Sequence, residues 1–87
     1  TKKTYRKYKT EINPNDYKRV LAKNGNVGYH LDHIASKLYC FTNTIPPELC
    51  ADKRNLRMIP WKDNVVKHSI VNEGELPEII REYLNEQ

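Results

Sequence analysis

Four side chains that could hold a metal ion or move a proton fall in two short segments. Asp32 and His33 are adjacent, and Asn64 and His68 are four residues apart, so on a helix they lie one turn above each other. A carboxylate, an amide oxygen and an imidazole suit Mg²⁺ or Mn²⁺ and also accept Zn²⁺ or Ni²⁺. An imidazole with an ordinary pKa of about 6.5 can take a proton from water at neutral pH. A metal that holds a phosphate and a histidine base are the minimal parts for phosphodiester hydrolysis.

Short elements must position these side chains. The alternating segment Gly28–Ile34 predicts a strand that carries Asp32 and His33 near its end. A second short strand is predicted over Asn55–Pro60. After it, apolar residues recur at helical spacing and Asp63 suits the N-cap, which predicts a helix.

The rest of the chain predicts two more helices and a long loop. Asn13-Pro14 is typical of a helix start, so a short helix is expected over Asn15–Lys23, after residues 1–12 without a clear period. Residues 35–54 are expected to be irregular apart from one helical turn around Glu48–Ala51, and a last helix is expected over Glu75–Tyr83. The order helix, strand, loop, strand, helix, helix predicts an α+β fold. The side chains expected in the core are Ile34, Phe41, Leu56, Met58, Trp61, Val65, Val66 and Ile79.

Two stretches, YHLDHI and NLRMIPWKDNVVKHS, resemble the HNH endonucleases, in particular their phage and homing-endonuclease branch. The resemblance covers about Tyr29–Ser69. Its specific parts are the Asp-His pair, the Asn-Leu that opens the second strand, and Asn64 nine residues after Asn55, followed by Lys67. It implies a small ββα-metal (His-Me finger) core with flanking helices.

The resemblance also implies a division of the chain. Residues 1–27 would form a basic N-terminal arm and short helix, and residues 28–70 the nuclease core. Residues 71–87 would form an amphipathic helix that packs on the core.

The same resemblance implies a role for each matched residue in a metal-dependent DNA endonuclease, which nicks one strand or cuts both. His33 would be the general base that activates water, and Asp32 and Asn64 would bind one divalent ion against the scissile phosphate. His68 stands where only some family members have a second helical ligand. Asn55 would tie the loop between the strands and so orient the base, without touching metal.

The chain departs from the family pattern between the strands. His33 and Asn55 are 22 residues apart, which is long, and the insertion Lys37–Arg54 contains both cysteines, Cys40 and Cys50. The insertion is either a DNA-contacting loop or packing around Tyr39 and Phe41, of which packing is favoured. The cysteine spacing excludes a structural zinc site of the usual kind and favours two free thiols over a single disulfide.

Charge is distributed unevenly along the chain. The net charge is +4, yet residues 1–30 have eight basic and two acidic groups, and residues 69–87 have one basic and five acidic groups. A DNA partner is therefore expected to meet the N-terminal and central parts. Each candidate DNA contact has the alternative of an ordinary solvated or hydrogen-bonded side chain. These candidates are His30, Arg54, Arg57, Lys62, Lys67, Lys2, Lys3, Arg6 and Lys7.

Length limits the chain to one small domain. Eighty-seven residues leave no room for two cores, and no apolar run is long enough to cross a bilayer. We expect a cytoplasmic protein of a bacterial or phage-infected cell, with specificity supplied by a homodimer partner or a larger parent protein. Two other functions stay open: a non-catalytic nucleic-acid-binding module with a degenerate HNH site, and a protein-interaction domain that docks through Leu76–Leu84.

Overall fold

An antiparallel pair of strands lies at the centre of the computed structural model, which describes residues 1–19, 28–67 and 70–87. Strand β1 (Tyr29–His33) pairs with β2 (Leu56–Pro60), and both predicted strands are confirmed within a residue or two. Because side chains alternate along a strand, the sheet has two different faces. The first face carries Tyr29, Leu31, His33, Leu56 and Met58; the second carries His30, Asp32, Arg57 and Ile59.

Helices surround this sheet. Before β1 come α1 (Lys2–Lys7) and α2 (Lys9–Ile12); between the strands come α3 (Lys37–Thr42) and α4 (Pro47–Cys50); after β2 come α5 (Trp61–Lys67) and α6 (Glu78–Asn85). Two 3₁₀ turns cover Lys53–Asn55 and Glu73–Glu75. The described residues therefore have the mixed α+β composition that was predicted. None of the helices in this part of the chain is long and apolar enough to cross a membrane.

The N-terminal helices cover the first face of the sheet. Tyr5 of α1 and Ile12 of α2 form a buried cluster with Leu56, against which Leu31 and Met58 pack. Residues 1–12, expected to lack a period, are thus helical. Each of these helices buries only one side chain, so the sequence shows no repeated apolar spacing.

The helix predicted over Asn15–Lys23 is wrong for its described part, residues 15–19. The buried side chain of Asn13 accepts from Tyr17 N (2.9 Å) and donates to Tyr17 O (2.8 Å), which competes with helical hydrogen bonding. Asp16 has a positive φ of 51°, and Arg19 forms a parallel bridge with Tyr29. Residues 20–23 lie outside the described residues.

The segment between the strands is more ordered than predicted. Ser36 caps α3 by accepting from Tyr39 N (3.0 Å), and Pro47 lies in the first turn of α4, where the single helical turn was expected. Both helices pack with α6 in a second cluster. Its buried members are Ala35, Cys40, Ile45, Cys50, Leu76 and Ile80. The favoured interpretation of the insertion as packing around Tyr39 and Phe41 holds for Tyr39, which packs against this cluster, and is wrong for Phe41, which is exposed.

Two predicted core residues are exposed instead. Phe41 is 84% exposed, because α3 turns Cys40 inward and leaves its neighbour in solvent. Val66 is 74% exposed, because α5 directs the polar residues Asn64 and Lys67 toward the sheet. Leu56 is buried as predicted.

The boundaries of the last two helices differ from the prediction. Helix α5 begins at Trp61, two residues before the predicted N-cap Asp63. Helix α6 begins at Glu78 rather than Glu75, because Pro77 takes the N-cap position and the preceding residues form a 3₁₀ turn.

Candidate active site

Helix α5 lays two polar side chains on the second face of the sheet. It follows β2 without a linker, and Trp61 N donates to Gly28 O (2.9 Å), which fixes its first residue beside the start of β1. Asn64 and Lys67 are three residues apart and share a helix face. Asn64 Nδ2 donates to His30 Nδ1 (2.9 Å), and Lys67 Nζ donates to Asp32 Oδ1 (2.9 Å).

Asp32 is a buried carboxylate with both oxygens engaged. Its side chain is 6% exposed; Oδ1 accepts from Lys67, and Oδ2 accepts from Arg57 Nε at 3.0 Å. Arg57 also reaches Glu75 Oε2 at 3.2 Å. Charge-assisted hydrogen bonds of this kind offset the cost of burying the carboxylate.

His30 lies beneath α5. It is 3% exposed, and its Nε2 atom has no hydrogen-bond partner among the described residues. The predicted contact between His30 and DNA stays a prediction, and the burial of the ring favours the alternative of a hydrogen-bonded histidine. Because Nδ1 accepts from Asn64 Nδ2, the proton of the neutral ring lies on Nε2, which is therefore a buried donor without a partner and is energetically costly.

His33 faces the other way. As the last residue of β1 it projects from the first face of the sheet, whereas Asp32 projects from the second. Its Nε2 atom hydrogen bonds with Thr1 Oγ1 at 3.2 Å. Burial, with the positive charge of Lys37 as the next cause, lowers the pKa of His33 to about 4. The ring is therefore neutral at pH 7, and it is a weaker base than an imidazole in solvent.

A cavity of about 750 Å³ opens beside His33. Apolar side chains make up most of its wall, and Lys37 lies at the same edge as His33. Other lining residues are Phe41, Ile45, Cys50 and Tyr83.

Asn55 ties the segment after His33 to the rest of the fold. The side chain is fully buried, its Oδ1 accepts from Ala35 N (2.7 Å), and its Nδ2 donates to Ala35 O (3.0 Å) and Cys50 O (2.8 Å). Its main-chain carbonyl accepts from Ile34 N (2.8 Å). These bonds hold the end of β1, the end of α4 and the start of β2 together. The role of Asn55 in orienting the base stays a prediction.

The donor types on the second face fit a divalent cation. Asp32 offers a carboxylate and Asn64 an amide oxygen, whereas the imidazole of His30 would bind a metal through Nε2 only after the proton moves from that atom. Within the described residues, no three His, Cys, Asp or Glu side chains form a metal-binding group. His68, the fourth predicted ligand, lies outside the described residues.

Some of the candidate DNA contacts are exposed and others are already held in ion pairs. Lys2, Lys3, Arg6 and Lys7 are exposed on α1, and Lys62 is exposed on α5. Arg54 forms two hydrogen bonds with Asp52, while Arg57 and Lys67 are held by Asp32. The pairing of Arg57 with Asp32 was missed by the sequence analysis, although the two residues are opposite each other once the strands are aligned.

Cys40 and Cys50 are free and buried. Burial, followed by a hydrogen bond with Cys50, raises the pKa of Cys40 to about 12. The Cys40 side chain is therefore a thiol rather than a thiolate at neutral pH, and it has the character of a packing residue.

Comparisons of the chain with protein-family models, with curated proteins and with solved structures found no match. The HNH assignment thus stays a prediction from the residues quoted above.

Proposed function

We propose that this chain is a metal-dependent HNH-type DNA endonuclease that hydrolyses phosphodiester bonds. One observation carries the proposal: a helix directly after β2 lays Asn64 and Lys67 over His30 and Asp32 on a two-stranded antiparallel sheet. The order strand, strand, helix is the order that the proposed ββα-metal core would need, and this agreement supports the proposal. The buried Asn55, bonded to the segment after His33, adds support.

Each residue has a separate task in this proposal. Asp32 and Asn64 would hold the metal, with His30 or His68 as an imidazole ligand. When bound, Mg²⁺ or Mn²⁺ supplies charge that polarises the scissile phosphate and stabilises the leaving 3′ oxygen. His33, neutral because its pKa is about 4, accepts a proton from the attacking water. Asn55 holds the backbone from which His33 projects.

The test is plasmid cleavage across a panel of divalent metals. We expect Mg²⁺ or Mn²⁺ to support nicking, EDTA to stop it, and His33→Ala to lower the rate by roughly 10²–10⁴-fold. Leu38→Ala is the matched control, since Leu38 is exposed on α3 and outside the site. Undiminished nicking by a folded His33→Ala protein, judged by circular dichroism, would refute the role of His33 as base.

A second function is favoured by a different observation. Both oxygens of Asp32 are held by cations, and α1 presents four exposed basic side chains. These features suit a non-catalytic nucleic-acid-binding module. Such a module would bind DNA with strong salt dependence in EDTA and would cut none in any metal.

A further inference from the structure

The ammonium group of Lys67 lies inside the candidate active site rather than in solvent. Its Nζ atom is 2.9 Å from Asp32 Oδ1 and 2.6 Å from the main-chain oxygen of His33. The side chain is only 14% exposed. A lysine end group this enclosed loses hydration and side-chain entropy, and the two oxygens must compensate for both.

The surroundings of Nζ are those of a cation-binding position. One contact is a carboxylate oxygen and the other a carbonyl oxygen, which are the ligand types that hard divalent cations prefer. Arg57 engages Oδ2 of the buried Asp32, so a second cation can contact this carboxylate only at Oδ1. Lys67 makes this contact without a metal.

We propose that Lys67 is a displaceable resident cation: its ammonium fills the oxygen-lined position at Asp32 that a divalent metal takes, and metal binding requires Lys67 to leave. This inference rests on the proposed function, because it concerns the metal of that same site. It deepens that function by giving the site a built-in competitor that weakens its metal affinity.

Direct measurement of metal affinity, without DNA, tests the inference. We expect Lys67→Met to bind Mn²⁺ roughly 10- to 100-fold more tightly than the unaltered protein in calorimetry, since a hydrogen bond to a charged group no longer has to be broken. Lys62→Met is the matched control. Lys62 is on the same helix but exposed, so this variant removes the same charge and reports the general electrostatic effect.

Two further measurements make the result decisive. Asp32→Asn in the Lys67→Met background should abolish the tight binding of Mn²⁺. This result would show that the Mn²⁺ binds at Asp32. In the unaltered protein, the ¹⁵Nζ resonance of Lys67 should move to the position of a solvated lysine when Mg²⁺ saturates the site. This second measurement needs no variant and therefore holds even if Lys67→Met does not fold.

The outcomes separate this inference from the proposed function. If the protein nicks DNA with Mg²⁺ but Lys67→Met binds Mn²⁺ no more tightly than Lys62→Met, Lys67 is not a competitor and the nuclease proposal stands. A Lys67 resonance unchanged at metal saturation would likewise show that Lys67 does not leave when the metal binds. If Asp32→Asn leaves metal affinity unaltered and no metal supports nicking, both proposals fail.

Discussion

At the scale of single residues, the neighbours Asp32 and His33 act on different sides of one strand. Asp32 faces α5 and His33 faces α1, yet both stand at the last positions of β1. If the proposed metal ligand and the proposed base act on one phosphate, that phosphate must lie across the end of the strand and not on either face of the sheet. The exposed start of α1 lies at that end, since Thr1 touches the His33 ring.

The half-buried ring of His33 makes stability depend on pH. Its pKa is about 4 in the folded protein, below the value near 6.5 of an unfolded chain. Between these values the unfolded chain binds a proton that the folded protein does not, so the free energy of unfolding falls as pH decreases from 6.5 toward 4. Urea unfolding at pH 7 and pH 5 should show a larger loss for the unaltered protein than for His33→Gln. Equal losses in both proteins would contradict the lowered pKa.

At the scale of elements, Asn55 is the joint between β1, α4 and β2. We expect Asn55→Ala to lower the free energy of unfolding by roughly 2–4 kcal/mol, because it removes three buried hydrogen bonds: those to the amide of Ala35, to the carbonyl of Cys50 and to the carbonyl of Ala35, which keeps only its contact with Cys40 Sγ. Asn43→Ala is the matched control: it removes a single exposed bond to Tyr39 O and should cost less than about 1 kcal/mol. If both variants had similar urea midpoints, Asn55 would not be the residue that holds β1, α4 and β2 together.

The strands and α5 were predictable because their signals are local. Residue alternation in Gly28–Ile34 and the change of period after Pro60 each span only a few residues. Helices α1 and α3 were missed because their stability comes from distant partners: Tyr5 packs on Leu56, and Cys40 packs against α6. Phe41 was misassigned for the same reason, since only the orientation of α3 decides which apolar side chain is buried.

The candidate site was predictable in part. The residue types were readable from the sequence, but the predicted helix face paired Asn64 with His68, which lies outside the described residues, and the contact of Lys67 with Asp32 was not predicted. The ion pairs of Asp32 with Arg57 and Lys67 could not be predicted from the sequence. They depend on the strand register and on how α5 crosses the sheet.

At the scale of the whole molecule, positive charge is concentrated where the proposed substrate would enter. Lys3→Gln with Arg6→Gln should weaken DNA binding in EDTA and reduce the slope of log affinity against log salt by up to about 2, since each phosphate contact contributes about 0.9. Fluorescence anisotropy at several KCl concentrations measures this slope. Arg81→Gln, which removes an exposed charge from the acidic α6, is the control and should leave the slope unchanged. If the double variant of Lys3 and Arg6 gave the same slope as Arg81→Gln, α1 would not be part of the DNA interface.

The long connection between β1 and β2 has a consequence for how the protein folds. Tyr29 pairs with Pro60, about thirty residues further along the chain, so the sheet is not a tight hairpin that closes by itself. Pairing of strands that are so far apart in the sequence requires the closure of a large loop. The chain loses the entropy of that closure before any contact between the strands can compensate for the loss. The α3–α4 segment, folded against α6, shortens that loop. We therefore expect early assembly of this apolar cluster to speed the pairing of β1 with β2.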